Sequence, residues 1–213
     1  MRRFPFAAEV DIISVQEGFF RGGLVEQIGR PSKRKPKPPP PLVKSIGEAL
    51  ALKDPVQALW PSLVAVVFTD KDNPMLENLS PSCQALYLLD LMDREVQDGG
   101  FEQFFHNTSG QFCDETRKAL EETGATVMLS LLERACAVFP DDIVPKGQLE
   151  RRTLLCALSE DAENLLSELD DEFNAKTSSI QIETNSPENP WFLALQYMRG
   201  HANDLVAFES GAD

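Results

Sequence analysis

A series of apolar residues near the carboxyl-terminal end sets the strongest limit on the fold of this 213-residue chain. The steps between them are four, four, three, four and four residues, at Leu154, Leu158, Ala162, Leu165, Leu169 and Phe173. Because an α-helix turns once in about 3.6 residues, these positions form one stripe, and the acidic residues between them lie off it. The spacing predicts one long helix with its apolar side in a core and its acidic side in solvent.

Helical signals also dominate the sequence before that stripe, and no alternation typical of a strand competes with them after residue 54. Ser80 can cap a helix whose first turn contains Pro81, and Gly99-Gly100 can end it, since glycine takes positive φ without penalty. We expect helices over 42–52, 55–68 with a break at Pro61, 81–98, 101–106, 114–139 with Asp114 as cap and an interruption at Gly124, and 190–208. The sequence predicts an all-α, compact single-domain bundle of about seven to ten helices.

Charge and proline divide the chain after Lys53. Of the 34 Asp and Glu residues, 29 lie in residues 54–213, against ten of the 20 Lys and Arg, so that part carries −19 and residues 1–53 carry +5. The proline-rich stretch 33–41 favours an extended spacer, although it could also be a ligand for a proline-recognising domain or a nuclear import signal. We expect a basic, proline-rich N-terminal extension and linker at 1–53, and an acidic helical domain at 54–213.

The acidity of residues 54–213 limits the classes of partner. The negative electrostatic field of these residues repels nucleic acid and anionic membranes. The same field attracts a cationic protein and raises the rate of encounter with it. We therefore expect a basic protein as partner, with no direct nucleic acid and no membrane. The alternative is that the charge only maintains solubility.

The cysteines and the apolar runs indicate a cytoplasmic protein. Cysteines stand singly at 83, 113, 136 and 156, without a C-x-x-C pair, and are interpreted as reduced core thiols. Glu9 and Asp11 interrupt the apolar stretch that a signal peptide would need. The longest apolar run, 63–68, is too short to cross a bilayer.

Patterns typical of enzymes are absent from the sequence. His106 and His201 lack the spacing of metal ligands, and Gly99-Gly100 lacks a phosphate-binding pattern. An enzyme remains a third hypothesis, resting on the polar residues His106 and Asn107 near a cleft. We expect no catalytic residues, no cofactor and no metal.

The segment 90–110 carries the most specific pattern of the chain. Gly99-Gly100 permits a sharp reversal, the phenylalanines that follow can drive a helical turn into the core, and Asn107 and Ser109 can bond local backbone before Gly110. We interpret this segment first as a rigid helical corner. A binding groove lined by its polar residues is the alternative.

This corner also carries a resemblance to a known family. DGGFEQFFHNTSG at 98–110, with ALEETGA at 119–125 and ELDDEF at 168–173, resembles a bacterial family of domains of unknown function, typified by an acidic, all-helical DNA-mimic protein. The resemblance covers about residues 55–200; Asp98 stands where the pattern usually has Asn, and Thr108 where it often has Ser. The motif positions, mainly structural, are Gly99, Gly100, Phe101, Gln103, Phe104, Phe105, Asn107, Ser109 and Gly110.

The family resemblance implies an all-helical homodimer, and in the mimic member surface carboxylates imitate DNA phosphates and occupy a DNA-binding regulator. Carboxylates at i and i+4 lie about 6 Å apart along a helix, of the same order as charge separations on a duplex. The candidate acidic face here comprises Glu160, Asp161, Glu163, Glu168, Asp170, Asp171, Glu172, Asp90, Asp93, Glu95, Asp98 and Glu102. The alternative is an immunity or regulatory module that recognises its partner by the shape of the corner from Asp98 to Gly110.

Overall fold

The computed structural model describes residues 42–68, 74–178 and 189–207, and these contain eight α-helices. The helices are α1 (Ile46–Leu50), α2 (Pro55–Val67), α3 (Pro81–His106), α4 (Cys113–Thr123), α5 (Thr126–Cys136), α6 (Gln148–Leu155), α7 (Glu160–Ser178) and α8 (Pro190–Gly200). Short 3-10 turns lie at Leu76–Asn78, Thr108–Phe112 and Pro140–Asp142. The prediction of an all-α bundle is confirmed. The proline-rich stretch lies outside the described residues.

Helix α3 is the centre of the bundle and contacts α2, α4, α6, α7 and α8. Its carboxyl-terminal turns supply Phe101, Phe104 and Phe105, all fully buried. The ring of Phe101 packs edge-on against Phe173 of α7, with centroids 6.0 Å apart, and Phe105 packs edge-on against Phe139, which follows α5, at 5.0 Å. This aromatic cluster packs α3, α7 and the end of α5 into one core.

Two glycines shape the chain as the sequence predicted. Helix α3 is kinked where Gly99 and Gly100 leave helical geometry, and Gly100 has φ 77° and ψ −177°. Gly124 has φ 75° and ψ 19°, and it separates α4 from α5. Few residues other than glycine adopt these angles, so both interruptions are set locally.

The apolar stripe, by contrast, is divided between two helices, so the prediction of one long helix is wrong. Helix α6 ends at Leu155 and α7 begins at Glu160. The hydroxyl of Ser159 accepts a hydrogen bond from the backbone N–H of Ala162 at 3.3 Å, and this cap starts the second helix. Cys156 lies in the break and is exposed, contrary to the core role expected of it, whereas Cys83, Cys113 and Cys136 are buried.

Three local expectations about helix breaks and caps are also corrected. Pro61 lies inside a continuous α2, where the carbonyl that it leaves unpaired belongs to the exposed Gln57. The Ser80 hydroxyl donates to the carbonyl of Leu205 at 2.5 Å instead of capping α3. Asp114 is the second residue of α4 and makes no cap.

The folded unit starts earlier than the boundary after Lys53 that charge suggested. Val43, Ile46 and Ala49 are buried in the same core as the later helices. After α8 and a turn, the chain runs beside residues 44–46, where Val206 N–H donates to the Lys44 carbonyl at 2.8 Å and Ile46 N–H to the Asp204 carbonyl at 3.0 Å. Both ends of the described chain are therefore joined in one structure.

Candidate functional site

The polar residues of the corner bond to a carboxylate on the other side of the kink. Gln103 Nε2 donates to Glu95 Oε2 at 3.0 Å, and Asn107 Nδ2 donates to the same oxygen at 2.8 Å. Burial raises the pKa of Glu95, and these donors oppose that rise by stabilising the charged form. The three side chains brace the two segments of α3 against each other, so they serve the fold first.

The carbonyls at the end of the corner surround the guanidinium of Arg151, which is fully buried. Its Nε donates to the Phe105 carbonyl at 2.7 Å and its Nη2 to the Asn107 carbonyl at 2.8 Å. Its Nη1 donates to the carbonyls of Pro145 and Lys146, at 2.9 and 2.7 Å. A Cβ at Gly110 would lie 2.6 Å from Arg151 Nε, which explains the glycine that closes the motif.

Arg151 is the residue that sequence reasoning missed. It lies three positions before Leu154 and seven before Leu158, on the apolar side of α6. An arginine on the core-facing side of a helix indicates that acceptors for its hydrogen bonds lie nearby, because a buried charge must be hydrogen-bonded. The motif thus forms a socket for an arginine 41 residues beyond Gly110.

Two further motif interactions complete the corner. Ser109 Oγ donates to the Phe104 carbonyl at 2.8 Å. Asp170 of α7 accepts a hydrogen bond from the backbone N–H of Phe101, with Oδ1 and N 2.8 Å apart. The side chains of the corner that remain exposed are those of Asp98, Glu102, His106 and Thr108.

The candidate acidic face divides into exposed and internal members. On α7, the carboxylates of Glu160, Asp161, Glu163, Glu168 and Asp171 are exposed. Burial raises the pKa of Asp170, and the charges of Asp171 and Glu102 raise it further. Glu102 of α3 is exposed and directly follows Phe101, whose backbone N–H is bonded to Asp170 of α7. We call the exposed set of Glu102, Glu160, Asp161, Glu163, Glu168 and Asp171 the acidic ridge.

Asp90 and Asp93 do not belong to an exposed surface, because both are buried. Asp90 forms an ion pair with Arg94, with Oδ2 and Nε 2.6 Å apart. Asp93 accepts a hydrogen bond from Gln97 at 2.8 Å, and burial raises its pKa to about 6. They are therefore left out of the ridge, as is Glu95.

Two members of the candidate acidic face remain, Glu172 and Asp98. Glu172 is paired with Arg134 of α5 at 2.7 Å, on the side where α7 packs against that helix. Asp98 is exposed just before the kink of α3. The ridge therefore follows the solvent side of α7 and continues onto the second segment of α3.

A small cleft lies beside the buried acids of α3. It is lined by Val56, Leu89, Asp90, Asp93, Pro190, Trp191 and Ala194, and its free volume is about 10 Å³. That volume is about the space of one water molecule. The described side chains bring together no group of three His, Cys, Asp or Glu residues that could hold a metal ion.

None of the helices within 42–68, 74–178 and 189–207 is both long and apolar enough to cross a bilayer.

No curated protein and no solved structure matches the chain significantly. One family model matches residues 77–201, which include the corner, Arg151 and the acidic ridge. This match covers more than half of the chain and confirms the resemblance to a bacterial family of domains of unknown function. The chain therefore belongs to the family described as DMP19-like protein.

Proposed function

We propose that the helical domain is a non-catalytic protein-binding module, and that its acidic ridge occupies the DNA-binding surface of a basic regulatory protein. The supporting observation is the series of five exposed carboxylates between Glu160 and Asp171. At about 1.5 Å per residue they extend over about 16 Å, or one charge in about 3 to 4 Å. One strand of duplex DNA carries a phosphate in about 3.4 Å.

The ridge is also electrostatically one-sided. Lys176 is the one basic residue in the sequence of α7, and it lies in the last turn, beyond the ridge carboxylates. A partner site that is built for phosphates meets a negative surface there. Attraction between such surfaces raises the association rate and weakens as salt increases.

The ridge is held rigidly by the opposite side of the same helix. Leu169 and Phe173 are fully buried, and Asp170 is bonded to the backbone of α3. A surface that is ordered before binding loses little conformational entropy when the partner arrives. This rigidity supports a role in which a fixed spacing of charges is recognised.

The non-catalytic part of the proposal rests on the cleft next to the buried acids. Asp90 and Asp93 both have raised pKa values because of burial, as catalytic acids often do. Yet the cleft has room for about one water molecule, and Asp90 is already paired with Arg94. These carboxylates fit a structural role better than substrate chemistry.

The alternative, in which a partner recognises the shape of the corner, involves part of the same acidic surface. Two of its four exposed side chains, Asp98 and Glu102, are carboxylates, and the specific motif residues face inward. A partner that contacted the corner would therefore meet Asp98 and the ridge residue Glu102. The proposal also includes the two expectations of a cytoplasmic location and a homodimer.

A capture experiment with matched variants tests this function. The full chain, tagged, is incubated with host extract at low salt, and bound proteins are identified by mass spectrometry. The ridge variant carries Glu160→Gln, Glu163→Gln and Glu168→Gln. The control variant carries Glu77→Gln, Glu121→Gln and Glu150→Gln, which removes the same charge from exposed sites elsewhere.

We expect a DNA-binding protein to be captured by the wild type and the control variant, to be lost from the ridge variant, and to be released at high salt. Melting temperatures of both variants establish that the fold is kept. Equal capture by the two variants, or retention at high salt, would contradict the proposal.

A further inference from the structure

Two buried cysteines meet where α4 begins and α5 ends. Cys113 is the first residue of α4 and Cys136 the last of α5, and their sulfur atoms lie 3.5 Å apart. Both side chains are buried, with 2% and 0% of their surface exposed. The thiols are in contact although they are 23 positions apart in the sequence.

The guanidinium of Arg117, one turn after Cys113, completes this cluster. Its Nε is buried and has no hydrogen-bond partner among the described residues, while Nη1 pairs with Asp114 and Nη2 donates to the Asp142 carbonyl. The hydrogen bond from Cys113 lowers the pKa of Cys136, and the positive charge of Arg117 lowers it further. The pKa of Cys113 is raised by the same hydrogen bond and by burial.

We propose that Cys113 and Cys136 are a reversible thiol–disulfide pair that is oxidised by hydroperoxides and fastens α4 to α5. The geometry carries the proposal: two sulfur atoms in contact, at the ends of two neighbouring helices, beside a cation. Such a pair is a modification site, and it is independent of the acidic ridge and of the proposed function.

The oxidation balances with hydrogen peroxide as the oxidant. The Cys136 thiolate attacks one peroxide oxygen, the O–O bond breaks, and Cys136 becomes a sulfenic acid while hydroxide takes up a proton to form water. Cys113 sulfur then attacks the Cys136 sulfur, the S–S bond forms, and the S–O bond breaks. The leaving hydroxide takes the Cys113 proton, so two thiols and one peroxide give one disulfide and two waters.

Formation of the disulfide requires a small movement of the two cysteines, both of which lie at helix ends. A disulfide needs sulfur atoms about 2.0 Å apart, so the pair must approach by about 1.5 Å. Phe112, before Cys113, is the last residue of a 3-10 turn, and Ala137, after Cys136, is the C-cap of α5. Burial makes the reaction depend on local opening, and the exposed Cys156 reacts first.

The test uses the full chain with Cys156→Ser, which removes the exposed thiol. The reduced protein is treated with hydrogen peroxide, and the remaining thiols are alkylated under denaturing conditions. We expect a mass loss of about 2 Da before alkylation and two fewer alkylated thiols. After digestion with trypsin, mass spectrometry should find the peptides 95–117 and 135–146 linked by the disulfide, and dithiothreitol should separate them.

Two variants separate this pair from incidental oxidation. With Cys113→Ser, Cys136 has no second thiol, so its sulfenic acid should persist and be trapped by dimedone. Arg117→Met should slow disulfide formation about tenfold relative to Arg117→Lys, which keeps the charge. Full alkylation of Cys113 and Cys136 after peroxide, or oxidation to sulfinic acid without a linked peptide, would overturn the proposal.

Discussion

Asp170 Oδ1 accepts a hydrogen bond from the backbone N–H of Phe101 at 2.8 Å, which joins the acidic helix α7 to the corner of α3. Gly99 and Gly100 leave helical geometry just before Phe101, and a helix start has N–H groups that need partners from elsewhere, as Asp170 is for Phe101. One carboxylate of the predicted acidic face thus belongs to the corner. This contact fixes the position of the acidic ridge relative to the family motif.

Replacing Asp170 tests this contact. Asp170→Ala leaves the Phe101 N–H without its acceptor, and we expect it to lower the free energy of unfolding by about 1 to 2 kcal/mol. Asp171→Ala, on the exposed side of the same helix, should change it by less than about 0.5 kcal/mol. Urea unfolding measures both. Equal effects of the two substitutions would show that the bond to Phe101 does not stabilise the corner.

The two glycines with positive φ form a second matched pair. In Gly124→Ala the new Cβ has no atom within 4 Å, so the substitution costs only the strain of a left-handed alanine, about 1 kcal/mol. Gly100→Ala takes backbone angles nearly restricted to glycine, and its Cβ would overlap the Asp170 carboxylate. We expect Gly100→Ala to cost about 3 kcal/mol or more in urea unfolding. A cost no larger than that of Gly124→Ala would refute the geometry of the kink.

The arginine socket gives a third prediction. Arg151→Met leaves the four carbonyls around its guanidinium without their donor, and we expect a loss of about 3 kcal/mol or more in stability. Arg152→Met removes an exposed arginine that makes one hydrogen bond to the His106 carbonyl, at 3.2 Å. It should cost less than about 1 kcal/mol. Thermal and urea unfolding of the two variants should therefore differ clearly, and similar values would argue against the socket.

The buried Asp93 predicts a dependence of stability on pH. Burial raises its pKa from 3.8 to about 6. Between these values the folded state holds a proton that the unfolded state has lost, so the free energy of unfolding falls as pH rises through this window. At about 1.4 kcal/mol per pH unit, the titration of Asp93 lowers the free energy of unfolding by about 3 kcal/mol across this window.

Asp93→Asn removes that dependence and can keep the hydrogen bond from Gln97. Relative to the wild type, the variant should gain stability between pH 4 and pH 7, as measured by urea unfolding in a series of buffers. Asp90 and Glu95, whose pKa values are also raised by burial, stay in both proteins. Parallel curves for the two proteins would exclude a raised pKa at Asp93.

The sequence predicted the helical class and the corner because both depend on local patterns. Apolar spacing marks the face of a helix, and Gly100 and Gly124 mark breaks by their backbone freedom. The division of the apolar stripe was missed, since Leu154 and Leu158 keep helical spacing across a break that Ser159 caps. Spacing alone does not reveal where a chain leaves one helix and starts the next.

The site was predicted less completely because exposure depends on elements distant in the sequence. Asp90 and Asp93 look like surface residues, but they are buried where Pro190 and Trp191 of α8 meet α3. Asp170 looks like a surface carboxylate until the kink brings Phe101 to it. In the sequence, Arg151 is flanked by the charged residues Glu150 and Arg152, and only its helical spacing from Leu154 indicates that it faces the core.

Competition with DNA tests the central claim most directly. The purified partner is bound to a fluorescent duplex that contains its site, and the full chain is titrated in while anisotropy is followed. We predict that the chain displaces the duplex competitively, and that the Glu160→Gln, Glu163→Gln, Glu168→Gln variant does so only at much higher concentration. A ternary complex of chain, partner and duplex, or equal displacement by that variant, would contradict the account.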